Sequence, residues 1–338
     1  MGNKDDIIAS QLEIIRRMTE SNLRNVAQDF FGEGTPAPQN KDTANSAPAE
    51  KKAEENIKKV DTEEKEQPKE DIEELKKELF SYIGLEEVKK EVNSLINIAT
   101  VYALRKKNGL ASPDMSLHLV FSGNPGTGKT MIARFMARVY HSLGLLSKGQ
   151  LIEVDRSGLV AGYVGQTAQK TAKVLESALG GVLFIDEAYA LTSKGGNDYG
   201  MEAVETVLKY MEDHRDDLIV IIAGYTDLMQ DFIASNPGLA SRFNKYIEFA
   251  DYTPDEMVDI FKMNCKKGQY EIEDSALSAL KEYFTKAVDI EDFGNARGVR
   301  NTFENVICAQ ANRLAEDKDI TKEELILFTE ADIIAACK

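Results

Sequence analysis

A run of eight residues between an apolar stretch and a helical pattern has the composition of a phosphate-binding loop. Residues 123–130 match G-x-x-x-x-G-K-[ST] at every fixed position. Glycines let the backbone wrap closely around phosphates, and the loop N–H groups and the helix N-terminus then face the anion. Lys129 would bind the β- and γ-phosphates of a nucleotide, and the Thr130 hydroxyl would bind Mg²⁺. The alternative is a glycine-rich turn with a surface lysine, and the strand before it and the helix after it disfavour that interpretation. The predicted nucleotide-binding residues are Gly123, Asn124, Pro125, Gly126, Thr127, Gly128, Lys129 and Thr130.

Two acidic residues at the end of a second apolar run predict the hydrolytic part of the same site. The stretch "VLFIDEA" occupies residues 182–188. Asp186 would hold the magnesium ion directly or through water, and Glu187 would orient and polarise an attacking water molecule. A strand end with two solvated acids is the alternative, and the phosphate-binding loop disfavours it. The chain shows no guanine-reading N-K-x-D, because "NKYI" at Asn244 lacks the aspartate.

Composition restricts the class of protein. The 338 residues carry a formal net charge of -16, which repels nucleic-acid phosphates and disfavours general DNA or RNA binding. The three cysteines and three histidines are widely separated, so they predict neither a disulfide framework nor a metal site built from side chains alone. We expect a soluble cytoplasmic protein, since no apolar run is long enough to span a membrane and the N-terminus has no signal-peptide core.

Five short apolar runs predict the elements that position these motifs. The runs "LHLVFSG", "QLIEVD", "VLFIDEA", "LIVIIAGY" and "KYIEF" alternate with helical patterns between residues 71 and 251. Such alternation predicts an α/β domain with a parallel sheet covered on both faces. After Asp251 the helical patterns over 254–267, 275–287, 299–315 and 330–337 predict a small all-helical domain over 252–338.

The N-terminal part of the chain has a different character. Residues 32–70 contain four of the eight prolines and no aromatic residue, which predicts a disordered linker. Before it, within residues 1–31, an amphipathic helix is predicted over 5–31. This helix could fold back onto the rest of the protein or self-associate, or it could dock a partner. The third alternative is that the segment is disordered. Its apolar stripe consists of Ile8, Leu12, Ile15, Met18, Leu23, Val26 and Phe30.

Further motifs give the chain a family resemblance. The phosphate-binding loop, the Asp-Glu strand, "NPGLASRFNKYIEF" and "GNARGVRNTFENV" resemble an AAA+ ATPase. The set "IGLEEVKKEV", "GLVAGYVGQTAQKT", "AYALT" and "NPGLASRF" is similar to the CbxX/CfqX family. The resemblance covers about Leu79 to the C-terminus. It implies a P-loop AAA+ core followed by a helical lid, with ATP and Mg²⁺ as cofactors.

The resemblance also implies roles for residues outside the two central motifs. Arg242 matches the arginine finger, which stabilises the γ-phosphate charge in a neighbouring subunit's site. Arg297 matches the sensor 2 arginine of the lid, with Arg300 as the alternative. Ile83 and Gly84 match a segment on the adenine side. A surface ion pair is the alternative for either arginine, and a helix-entry turn is the alternative for the segment.

Two loops complete the implied machinery. The strand that ends in "GYTD" lacks the common polar sensor 1 pattern, and Thr226 is the candidate for that role. Tyr163, Val164 and Gly165 match an aromatic-aliphatic-glycine pore loop, in which the ring would grip an extended peptide without sequence demands. Residues 192–200 are a candidate second pore loop. A surface tyrosine is the alternative for Tyr163.

We therefore expect an ATP-hydrolysing ring, hexameric by the resemblance, that remodels or threads a protein client through its centre. The client is unidentified, and residues 5–31 are the candidate docking element. A nucleotide-gated assembly scaffold is the alternative. A nucleic-acid-acting ATPase is a further one, disfavoured by the acidic charge.

Overall fold

A five-stranded parallel sheet lies at the centre of the first domain, in the order β2-β3-β4-β1-β5. All five predicted strands are confirmed. Every residue of β1, β3 and β4 is buried, which explains why these runs are almost uninterruptedly apolar. The strands are β1 (Leu119–Gly123), β2 (Leu151–Val154), β3 (Val182–Ile185), β4 (Ile219–Gly224) and β5 (Tyr246–Phe249).

Alternate residues of the central strands enter two separate hydrophobic clusters, one on each face of the sheet. In β1, Leu119 and Phe121 belong to the first cluster, and Val120 belongs to the second. This period of two follows from the alternation of side chains along a strand. The helices of the domain cover both faces. They are α1 (Ile72–Ser81), α2 (Glu86–Lys107), α3 (Lys129–Ser142), α4 (Arg156–Leu159), α5 (Thr167–Ala178), α6 (Gly200–Asp213), α7 (Thr226–Ala234) and α8 (Pro237–Arg242), with a 3₁₀ turn over Ala188–Thr192.

The second domain is the predicted helical lid. Thr253 and Glu256 form a reciprocal capping box that begins the first lid helix. Two short parallel strands accompany the helices, and the sequence did not predict them, because a two-residue strand is too short to show alternation. The lid elements are α9 (Pro254–Gly268), β6 (Glu271–Ile272), α10 (Asp274–Ala287), α11 (Asn295–Leu314), α12 (Lys322–Ile326), β7 (Leu327–Phe328) and α13 (Glu330–Ala336).

The computed structural model describes residues 69–111, 116–163, 165–192, 199–290, 293–315 and 319–337. The helix predicted over 5–31 lies outside these ranges, as do the predicted linker up to residue 68, Val164 and most of the second pore-loop candidate. The last two linker residues lie inside, and the Glu70 carboxylate is paired with Arg138 of α3. In these ranges, no helix is both long and apolar enough to cross a membrane.

Candidate active site

The phosphate-binding loop connects the buried end of β1 to the start of α3. Gly123 has φ 140°, and a Cβ there would lie 2.3 Å from the carbonyl oxygen of Phe249. Gly126 has φ 75°, and a Cβ there would lie 2.1 Å from the carbonyl oxygen of Gly294. Glycine is therefore required at both positions, for backbone conformation and for close approach. This loop, residues 123–130, lies at the carboxyl edge of the sheet and is called the cradle.

Lys129 is the first residue of α3 and its ammonium group turns into the loop. Its Nζ donates to the carbonyl oxygens of Gly123 at 2.8 Å and Asn124 at 2.7 Å. Burial lowers the pKa of Lys129, the nearby Asp186 carboxylate opposes that shift, and the Arg297 guanidinium adds to it. Asp186 and the lid residue Arg297 therefore both lie within electrostatic reach of the loop lysine.

The two predicted acids follow β3 directly, at the same edge of the sheet. The Asp186 N–H donates to the Val154 carbonyl at 2.8 Å, which continues the pairing with β2. Glu187 has φ 48°, and its N–H donates to the Asp186 carboxylate at 3.0 Å. A non-glycine residue at positive φ is strained, and such strain concentrates at functional sites. Both acids are exposed.

The residues present fit a nucleotide with magnesium. In the described ranges, no three His, Cys, Asp or Glu side chains converge to hold a metal ion by themselves. Thr130 and Asp186 offer a hydroxyl and a carboxylate oxygen. Magnesium prefers oxygen ligands and commonly takes the rest of its coordination from phosphate and water. The donor set and the glycine cradle together suit a Mg²⁺–nucleotide complex.

An aromatic pair lies beside the acids, and the sequence did not single it out. The rings of Tyr189 and Tyr225 have centroids 6.1 Å apart. Burial raises the pKa of Tyr189, and the negative charge of Glu187 adds to that shift. Thr226, the sensor 1 candidate, begins α7 one residue beyond Tyr225 and is half-buried. Tyr225 is therefore the residue directly after β4, and its ring lies beside that of Tyr189, two residues after Glu187.

A polar bridge joins the phosphate-binding loop to the lid. The Asn124 side chain donates to both carboxylate oxygens of Asp251, at 3.0 and 2.8 Å. Asn295, at the start of α11, donates to the same carboxylate at 2.8 Å and to the Pro125 carbonyl at 3.3 Å. Its Oδ1 accepts from the Tyr252 N–H at 2.9 Å. Asp251 and Asn295 were not predicted, since isolated polar residues give no periodic signal.

The same helix carries both candidate sensor 2 residues. Arg300 forms an ion pair with Glu304 of its own helix at 3.1 Å, whereas the charge of Arg297 acts on Lys129. The geometry therefore favours Arg297. Gly84 contacts the lid as well, since a Cβ there would lie 2.4 Å from a Glu256 carboxylate oxygen. Ile83 is half-buried against the first hydrophobic cluster.

Arg242, the predicted finger, is the last residue of α8. Its Nη2 donates to Oε2 of Glu212 at 3.0 Å, so the ion pair considered as an alternative is present. The nearby His118 is buried and accepts from the Val220 N–H through Nδ1 at 2.9 Å. Burial, aided by the Arg242 charge, lowers the pKa of His118 to about 4. His118 is therefore neutral at pH 7.

The predicted pore loop lies between α4 and α5. The Tyr163 side chain is 75% exposed, the highest value among the large apolar residues of the described ranges. Gly165 has φ 76°, and no atom lies within 4 Å of a Cβ built there. The ring of Tyr163 is therefore presented to solvent rather than packed into the domain.

Comparison with known proteins adds sequence relationships to this geometry. Residues 119–251 match the model described as "ATPase family associated with various cellular activities (AAA)", and residues 253–338 match the AAA lid domain. A chloroplastic ribulose bisphosphate carboxylase/oxygenase activase from Cyanidioschyzon merolae is 44% identical over 75% of this chain and 87% of its own length. The plasmid-encoded protein CbxX of Cupriavidus necator is 41% identical over 75% and 81%. The crystal structure of the FIGL-1 AAA domain is similar in fold, with TM-score 0.55, 20% identity, and coverage of 77% and 82%.

Proposed function

The chain belongs to the AAA ATPases of the CbxX/CfqX type, and on that premise we propose that it uses ATP hydrolysis to remodel a partner protein in an assembled ring. One observation carries the proposal. The charges of Asp186 and Arg297 both act on Lys129 of the phosphate-binding loop. A Cβ on Gly126 of that loop would lie 3.0 Å from the backbone nitrogen of Arg297, while Tyr163 is presented on an exposed loop. The ATPase activity follows from the family. The residue roles, the ring and the threading are the proposal.

Some of these residues bind the phosphates and the metal ion, and one polarises the attacking water. Lys129 exchanges its two carbonyl acceptors for phosphate oxygens, which are stronger acceptors because they carry charge. Thr130 and Asp186 hold Mg²⁺, which neutralises charge on the phosphates when it is bound. Glu187 accepts a hydrogen bond from the attacking water and polarises it. Its backbone has a positive φ of 48°, the kind of strain that concentrates at functional sites.

Arg242 is proposed to act on the site of a neighbouring subunit. A guanidinium at the end of a short helix can reach a neighbour's γ-phosphate, where it stabilises charge in the transition state. Turnover per subunit should then rise steeply with protein concentration. Mixing Lys129→Ala subunits with Arg242→Ala subunits should restore part of the ATPase activity. The first variant supplies an intact arginine finger, and the second supplies an intact nucleotide site. Mixtures as inactive as either parent would contradict a finger acting in trans.

Tyr163 is proposed to grip the client, and residues 5–31 are proposed to select it. An exposed ring packs on almost any extended peptide, so selectivity must come from elsewhere. The relative named ribulose bisphosphate carboxylase/oxygenase activase acts, by its name, on another enzyme, which supports a protein client here. We propose six subunits by analogy with the family.

The test uses a client captured with Glu187→Gln protein, which should hold ATP without turning it over. Tyr163→Ala should spare client capture and most ATPase activity and abolish remodelling. Tyr246→Ala removes another exposed tyrosine, 51% accessible, and is the matched control. Deleting residues 1–31 should spare basal ATPase activity and abolish capture. Equal client binding with ATP and ADP, together with remodelling that Tyr163→Ala leaves intact, would favour a nucleotide-gated scaffold.

A further inference from the structure

The guanidinium of Arg242 is held by one short contact. Its Nη2 donates to Glu212 at 3.0 Å, whereas Nη1 lies 3.5 Å from both the Gly238 carbonyl and the Ser241 hydroxyl. The third nitrogen, Nε, is buried and has no hydrogen-bond partner among the described residues. Glu212 therefore dominates the orientation of this side chain, which is 28% exposed.

The two residues come from helices whose positions are fixed by packing. Glu212 lies in the last turn of α6, next to the buried Met211. A Cβ on Gly238, at the start of α8, would lie 2.9 Å from a Leu208 methyl group on α6. The carbonyl of Arg242 itself accepts from the Ser116 hydroxyl at 2.6 Å. The backbone segments that carry the Glu212 carboxylate and the Arg242 guanidinium are therefore both held in place.

His118 is a titratable group whose pKa responds to the charge of Arg242. His118 is neutral at pH 7, so it neither repels the guanidinium strongly nor pairs with the carboxylate. The Glu212 side chain is 61% exposed, more than twice the exposed fraction of Arg242, which is 28%. Nη2 is taken, and Nη1, with two long contacts, is left for a stronger acceptor. A phosphate oxygen is such an acceptor.

We propose that Glu212 is a positioning residue that orients Arg242 for the γ-phosphate of a neighbouring subunit. The inference rests on the proposed finger role of Arg242. An arginine side chain loses conformational entropy when it is held in one rotamer. The ion pair with Glu212 causes that loss before the transition state forms, so it does not add to the activation free energy. In this proposal Glu212 contacts neither the nucleotide nor the attacking water molecule, and it acts through Arg242. Its effect is on the rate of the chemical step.

The first test is a double-mutant cycle in the full chain, under conditions where native mass spectrometry shows an assembled ring. Glu212→Ala should lower kcat on the order of tenfold, with KM and nucleotide affinity unchanged, because ground-state binding does not involve Arg242. Glu212→Gln should lose less, since its amide oxygen still accepts from Nη2. In an Arg242→Ala background, Glu212→Ala should have no further effect. Glu205→Ala, on an exposed position two turns earlier in α6, is the matched control and should behave as wild type.

The second test determines whether Glu212 acts in the subunit that supplies Arg242 or in the subunit that supplies the nucleotide site. In mixtures of Lys129→Ala and Arg242→Ala subunits, adding Glu212→Ala to the Lys129→Ala partner should reduce the restored activity about tenfold. Adding it to the Arg242→Ala partner should not. If no mixture restores activity, the finger itself is refuted. If activity is restored but Glu212→Ala has no effect, raises it, or acts equally in both partners, the finger stands and the positioning role of Glu212 is refuted.

Discussion

Replacing Asn295 should release the lid from the phosphate-binding loop. The perturbation is Asn295→Ala. Three contacts disappear: the donations to Asp251 at 2.8 Å and to the Pro125 carbonyl at 3.3 Å, and the acceptance from the Tyr252 N–H at 2.9 Å. Asn295 also has φ 54°, which alanine adopts only under strain. Each loss acts on the junction between the two domains.

The magnitude follows from which groups are left unpaired. Tyr252 is 6% exposed, so its N–H is left without a partner in a buried position, at a cost of about 1–3 kcal/mol. Asp251 is exposed and regains water, so the loss of its bond costs about 1 kcal/mol. Positive φ at alanine adds about 1 kcal/mol. The free energy of lid docking should fall by about 3–5 kcal/mol.

The assay combines urea unfolding followed by circular dichroism with amide hydrogen exchange over residues 295–302. Asn295→Gly removes the side chain without the strain and should cost about 1 kcal/mol less than Asn295→Ala. Nucleotide affinity should fall in both variants, because Arg297 is no longer held against the loop. Asn301→Ala, at an exposed position of the same helix, is the control. Wild-type exchange rates and nucleotide affinity in Asn295→Gly would refute the bridge as the element that docks the lid.

Lys129→Ala should abolish nucleotide binding, measured with a fluorescent ATP analogue, because the phosphates lose their buried cation; binding within threefold of wild type would contradict this role. Glu187→Gln should keep nucleotide affinity while kcat falls about 10²-fold or more, since an amide polarises water poorly; phosphate release at the wild-type rate would remove Glu187 from catalysis. The pKa of His118 falls from 6.5 to about 4 on folding, so the stability contributed by its neutral form is complete above pH 6.5. That stability is lost as the pH falls from 6.5 toward 4, by up to about 3 kcal/mol. Urea unfolding at pH 7.5 and 4.5 should show a smaller loss in His118→Gln than in wild type, and equal losses would contradict the assignment.

Local signals were enough to predict the sheet and the two central motifs. The strands β1, β3 and β4 are buried on both faces, so their sequences are almost uninterruptedly apolar and can be recognised without knowledge of their neighbours. The phosphate-binding loop is likewise local, because its glycines, lysine and hydroxyl act within one turn between a strand and a helix. Four of the five lid helices were predicted with boundaries within four residues, and the short α12 (Lys322–Ile326) was not predicted.

Contacts between distant segments were decided by tertiary packing alone. Asn124 meets Asp251 across 127 residues, and Arg242 meets Glu212 across 30. A single polar residue carries no periodicity, so nothing in the sequence marks its partner. The different surroundings of Arg297, whose charge acts on Lys129, and Arg300, which pairs with Glu304, likewise depend on how α11 packs against the loop. The sequence alone determined which chemistry the chain can perform, because that chemistry lies in short contiguous motifs. Only the packed structure decided which charged and polar side chains contact the residues of these motifs, because such contacts form where separate elements meet.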